Sequence, residues 1–250
     1  MTERPPVIMS AIPQELAALR AELAGRVDHP VGKRIATTGL LAGRPVVLGE
    51  AGIGKVNAAV VTTRLVDRFD PAVILFTGVA GGVDPDLGVG DVVIGERTIH
   101  HDAGVIEGEA LQVYQAGHTP FFNPTDRLGF RPSDALLACA LEAASGLALD
   151  PVIDPARVPR VVAGTILTGD QFVNCEATRD RLHRKLGGHA VEMEGAAVAQ
   201  AARALGADCL VVRSLSDLAG AGSDIDFVRF LDDVARNSAR VVVAVVGNLP

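Results

Sequence analysis

Four carboxylates stand where apolar runs of this chain end. Glu15 follows "VIMSA", Glu192 and Glu194 flank Met193 in "AVEMEG", and Asp217 closes "CLVVRSLSD". A carboxylate at a buried strand end must find hydrogen-bond donors or take up a proton. Each one alone fits a modest role, capping the next helix or pairing with Arg213. Converging on one rim, they fit glycosidic cleavage, in which one carboxyl is the general acid and another, ionised, activates water.

Other chemistries find less support. There is no Ser–His–Asp set, and no cysteine has a plausible partner. His100, His101 and Asp102 are the only histidine cluster. Adjacent strand residues point to opposite faces, so the two rings are poorly placed for one metal, and no metal is expected. His29, His118, His183 and His189 carry no argument, and Cys175 reads as a small packing residue. "GEAGIGKVNAA" (Gly49–Ala59) follows the phosphate-loop pattern through Gly54 and Lys55 until Val56 stands where a Mg²⁺-binding hydroxyl belongs. No apolar strand ending in Asp follows in a suitable place, so this is not a triphosphate loop.

The elements that must position these residues alternate. "VIMSAI" precedes a helix from about Pro13, and "RIATTGLLAGRPVVLGE" reads as two strands about a glycine turn. A helix over Ala58–Arg68 leads to "PAVILFTGVAGG", an apolar run typical of a strand buried on both faces. Then come the strand "GDVVIGERTIHH", a helix near Ser133–Ser145, the strand "VVAGTILTGD" and a helix near Glu176–Leu186. The strand "AVEMEG", a helix to about Leu205, the strand "DCLVVRSLSD" and a last helix after Asp226 complete the series. Such alternation predicts one α/β domain over residues 1–250, with a largely parallel sheet covered by helices. Ligands then bind outside the carboxyl ends of the strands, where Glu15, Gly52–Lys55, Gly78–Gly82, Asp170–Asn174, Glu192–Glu194 and Arg213–Asp217 fall. Residues 107–132 and "LALDPVIDPARVPR" read as loop excursions. The Phe121–Phe122 pair in the first is a packing anchor, a lid or a subunit contact.

The 250 residues are 48% hydrophobic and 21% charged, ordinary for a globular protein, so wholesale disorder is excluded. The net charge of −7 argues against non-specific binding to nucleic acid or an anionic membrane. Three widely spaced cysteines form neither a disulfide framework nor a metal motif, which suits a reducing compartment. With no signal peptide and no apolar run of about 18 residues, a cytoplasmic protein is expected.

"IPQEL", "GIGKVNAA", "TGVAGG", "GDVVI", "HHDAG", "TGDQF", "VEMEGAAVAQ" and "VVRSLSDLAG" occur in this order. Together they resemble the 5′-methylthioadenosine/S-adenosylhomocysteine nucleosidases of the purine nucleoside phosphorylase superfamily, from about Val7 to the final helix. "GHTPFFNPTDRLG" is similar to a longer mid-chain insertion of the actinobacterial branch. The resemblance implies an α/β domain around a mixed central sheet, hydrolysis of adenine thioribosides in methionine salvage, no cofactor, and a homodimer whose partner covers each site. It implies that Asp217 donates a proton to adenine N7, with Ser216 orienting it, and that Glu15 activates water. Glu194 would hold the ribose hydroxyls with Met193 on the sugar, and Phe172 and Val173 would contact the base. Glu192 and Arg213 would support these groups, while Ala11, Ile12, Ile53, Val79, Ala80, Gly81 and Phe227 complete the substrate contacts. Residues between Val105 and Phe122 would reach the partner's site.

Phosphorolysis is the alternative reaction on this fold, and phosphate needs donors and positive charge. Hexameric phosphorylases of the superfamily carry Arg and Ser near positions that here are Phe76 and Val79, and Glu15 would repel the dianion. Water is therefore the expected nucleophile. Ile12 and Val79 depart from the Met and Ser of some relatives, which leaves the preference between the two thioethers open. A futalosine-type nucleosidase and a non-catalytic nucleoside binder are the rival readings.

Overall fold

The computed structural model describes residues 4–249. The strand β1 (Val7–Ser10) and helix α1 (Pro13–Glu22) are followed by β2 (Ala24–Val31), β3 (Arg34–Leu41) and β4 (Arg44–Glu50). Next come α2 (Lys55–Phe69), β5 (Val73–Gly82), β6 (Val92–His100), and a hairpin of β7 (Gly104–Glu107) and β8 (Ala110–Val113). The remainder is α3 (Asp134–Ala144), β9 (Val161–Thr168), α4 (Glu176–Leu186), β10 (Gly188–Glu192), α5 (Gly195–Ala204), β11 (Asp208–Asp217) and α6 (Ser223–Asn248).

Nine strands form one sheet in the order β10-β9-β6-β11-β5-β1-β4-β3-β2. The sheet is mixed, as the family resemblance implies, and less parallel than the strand–helix alternation alone predicts. Two-residue turns at 32–33 and 42–43 force β2, β3 and β4 into antiparallel hairpins. At the second turn Ala42 and Gly43 have φ of +50° and +76°, the conformation that suits the twist of a tight hairpin. β6 also runs antiparallel to β11. β10 pairs antiparallel with the end of β5, Ala190 opposite Gly82 and Val191 opposite Gly81, so β5, β11, β6, β9 and β10 close a ring.

Strand periodicity divides the core. Val7 and Met9 of β1 face the apolar layer that includes Ala58 and Leu65 of α2 and Ala196–Ala199 of α5. Ile8 faces the opposite layer, with Leu16 and Leu19 of α1 and the valines of α6. Three elements were not legible in the sequence. β2 is mostly exposed and contains Pro30, which a sheet edge tolerates. β7 and β8 form a separate two-stranded sheet at the start of the loop excursion. The last helix begins at Ser223, ahead of the expected Asp226, because Gly222 at φ +89° turns the chain into it.

Candidate active site

The carboxyl ends of β1, β5, β10 and β11 meet over one cavity of about 190 Å³, and the residues after them form its wall. Every side chain predicted for the site lines it except Arg213: Ala11, Ile12, Glu15, Ile53, Val79, Ala80, Gly81, Phe172, Val173, Glu192, Met193, Glu194, Ser216, Asp217 and Phe227. Arg213 is fully buried, paired with Glu192 and Glu194, and does not line the cavity. Gln171 and Val191 also line the cavity and were missed. Gln171 falls within the strand-end segment Asp170–Asn174, whereas the signal for Val191 is only its adjacency to Glu192.

Glu15 sits in the first turn of α1, where Pro13 opens the helix. Its Oε2 accepts the Ala11 and Ile12 N–H groups at 2.9 and 3.1 Å, and its Oε1 accepts the Val79 N–H at 2.9 Å. Burial raises its proton affinity above the ordinary glutamate value, opposed by Arg213 and those three donors. The approach of β5 to this carboxylate requires Gly78. Its φ is +152°, and a Cβ there would overlap both Arg213 and Glu15.

Glu192 and Glu194 straddle the step from β10 into α5. Glu192 sits at that helix N-terminus, accepting the Gly195 N–H at 2.7 Å and the Glu194 N–H at 3.1 Å. It also accepts the Thr168 hydroxyl and pairs with Arg213 Nη2 at 2.5 Å. The bland expectation of a cap and an arginine partner therefore holds for Glu192. Glu194 instead faces the cavity, with the Gly54 N–H at 2.8 Å from Oε1 and Arg213 at 3.5 Å from Oε2. Burial and then repulsion from Glu192 push its pKa up to about 8, against the pull of Arg213 and Gly54. Arg213 also donates to the Thr77 carbonyl at 2.9 Å and lies 4.3 Å from the Phe76 ring centroid.

Asp217 ends β11. Its Oδ2 accepts the Ser216 hydroxyl at 2.8 Å and its Oδ1 the Ala219 N–H at 2.9 Å. Burial raises its proton affinity despite these donors. Phe172 and Phe227 line the same cavity, edge to face with centroids 6.1 Å apart. The cavity thus brings together three carboxyls of raised proton affinity, Glu15, Glu194 and Asp217, and two aromatic rings. The glycine turn before α2 serves this site through the Gly54 N–H on Glu194, and Val56 points outward, exposed.

The phosphorylase superfamily profile matches residues 5–247. A 5′-methylthioadenosine/S-adenosylhomocysteine nucleosidase from Mycobacterium tuberculosis is 48% identical over 240 residues, 94% of each chain. The chain belongs to this nucleosidase family. Among solved structures, the S. pneumoniae nucleosidase with the transition-state inhibitor MT-ImmA is 33% identical with a TM-score of 0.84. That alignment covers 98% of this chain and 100% of the other. Helicobacter pylori futalosine hydrolase shares the fold at 28% identity and a TM-score of 0.82, each chain 98% covered. Membership of the nucleosidase family makes this chain an N-glycosyl hydrolase and accounts for a site built from carboxyls with no Ser, Cys or His nucleophile.

Proposed function

We propose that the chain hydrolyses the N-glycosidic bond of 5′-methylthioadenosine and S-adenosylhomocysteine with Asp217 as general acid and Glu15 as the base for water. The observation that carries this reading is the meeting of Glu15, Glu194 and Asp217 in one cavity with Phe172 and Phe227. Adenine is a poor anionic leaving group, and a proton delivered by Asp217 to N7 neutralises it as the bond breaks. Positive charge then grows on the ribose, and the hydrogen bonds between Glu194 and the ribose hydroxyls strengthen as it does, favouring the transition state over the ground state. Water held at Glu15 attacks the anomeric carbon and passes its proton to that carboxylate. Phe172 and Val173 take the base, Met193 and Ile12 the sugar, and Ile53 and Phe227 the 5′ substituent. The reaction needs no metal or cofactor.

The same reading makes the chain a cytoplasmic enzyme of methionine salvage and a homodimer whose partner closes each site. The strongly exposed Phe121 and Phe122 of the excursion, with Ile106 of β7 just before it, support a subunit contact there. Among the described residues no helix is long and apolar enough to cross a membrane.

Product analysis tests the reaction, using 5′-methylthioadenosine, S-adenosylhomocysteine, futalosine and inosine with and without phosphate. Adenine and free thioribose, formed without phosphate, are expected. A sugar 1-phosphate formed only with phosphate would make the enzyme a phosphorylase, and turnover of futalosine alone would select the second reading, which the shared fold of the futalosine hydrolase favours.

A further inference from the structure

The first residue of α2 holds a network that the chemistry above does not use. Lys55 Nζ lies 2.7 and 2.8 Å from the two carboxylate oxygens of Asp102, just past β6. It is 3.9 Å from Asp170 Oδ2, just past β9. The Lys55 backbone N–H donates to Asp170 Oδ1 at 2.8 Å, and the Asp170 N–H donates to Asp102 Oδ2 at 3.1 Å. One ammonium thus ties two strand ends to the start of α2. Burial, and also the Lys55 charge itself, lower the proton affinity of the neighbouring His100 and His101.

The amide before this clamp is that of Gly54, and it donates to Glu194 Oε1 at 2.8 Å. Gly54 has φ +94°, and a Cβ there would lie 3.1 Å from Asp170 Oδ1, so the turn is fitted closely against the clamp. Lys55 and Gly54 are covalent neighbours. If Lys55 leaves, Asp102 and Asp170 repel each other, and the turn that presents the Gly54 N–H loses its anchor.

We propose that Lys55 is a positioning residue: by bridging Asp102 and Asp170 it fixes the Gly54 N–H on Glu194 and holds that carboxylate against the ribose. This rests on the reading of Glu194 as a ribose contact. It also gives the phosphate-loop-like turn a purpose, the orientation of a carboxylate in place of a phosphate.

The test is steady-state kinetics with 5′-methylthioadenosine on Lys55→Met, Lys55→Arg, Asp102→Asn, Glu194→Gln and the Lys55→Met/Glu194→Gln pair. Misplacing a catalytic contact by about 1 Å costs on the order of 10²-fold, so Lys55→Met is expected to lose about that factor, in kcat more than in KM. Asp102→Asn should lose in the same direction, and Lys55→Arg should recover most of the rate. A melting temperature within about 4 °C of wild type would separate this loss from unfolding. In the Glu194→Gln background Lys55→Met should cost less, because the carboxyl group that the Gly54 N–H orients is no longer there. The same fold-loss in both backgrounds would overturn the proposal. So would a near-normal Lys55→Met beside an impaired Glu194→Gln, which leaves the Glu194 reading standing. A near-normal Glu194→Gln would instead remove the ribose contact on which the proposal is built. Should Lys55→Met not fold, Asp102→Asn alone and combined with Glu194→Gln provides the same comparison.

Discussion

Arg213 is the residue on which the carboxylate cluster turns. Glu15, Glu192 and Glu194 all draw on this one buried guanidinium, and against the cost of its burial their charges raise the proton affinity of Arg213. Glu192 holds the short contact, which leaves Glu194 only the longer one. The consequence is visible in stability. The folded state holds the Glu194 proton up to about pH 8, whereas an ordinary glutamate releases it near 4.5. The folded pKa is raised, so folding binds a proton, and the stabilisation that neutral Glu194 provides is complete below about pH 4.5 and lost as pH climbs through about 8. Urea unfolding of wild type and Glu194→Gln should therefore diverge over that window, wild type losing stability relative to the variant as pH rises. A constant difference across the window would mean that Glu194 titrates normally.

At the scale of elements, the close packing of β5 against α1 and β11 sets the spacing of the site. Gly78→Ala places a methyl group into Arg213 and Glu15 at a φ of +152°. It is expected to cost roughly 1–3 kcal/mol in stability and most of the turnover, measured by denaturant melts and adenine release. Unchanged activity would show that β5 can retreat without moving Glu15. The strands carrying the site were legible because their apolar runs are long and end in glycines or carboxylates, as "VILFTGVAGG" and "CLVVRSLSD" do. β2 was not, because its side chains are mostly exposed and leave no period of two to read. The antiparallel placing of β6 beside β11 was equally hidden, since strand order depends on contacts far apart in sequence. Side-chain orientation had the same limit. The family resemblance made Arg213 a supporting group, and the packing supplies the geometry, a buried guanidinium paired with Glu192 and Glu194.

At the scale of the whole molecule, Phe121 and Phe122 are 80% and 85% exposed in a chain otherwise frugal with aromatics. Two neighbouring rings left in water favour coverage by another surface, and a second copy is the occupant of the homodimer reading. Sedimentation velocity should find a dimer, and the double change Phe121→Ser, Phe122→Ser should shift it toward monomer with loss of adenine release. A fully active monomer would remove the partner from the site.

The central claim is that Asp217 supplies the proton that lets adenine depart. Its most direct test is the turnover of 5′-methylthioadenosine by Asp217→Asn, a variant that keeps the side-chain shape but has no acid to give. General acid catalysis contributes about 10²–10⁴-fold, so kcat should fall by that factor while the variant keeps its fold and still binds an adenosine analogue. Turnover within a few-fold of wild type would contradict the account, because the leaving group would then be protonated by something other than Asp217.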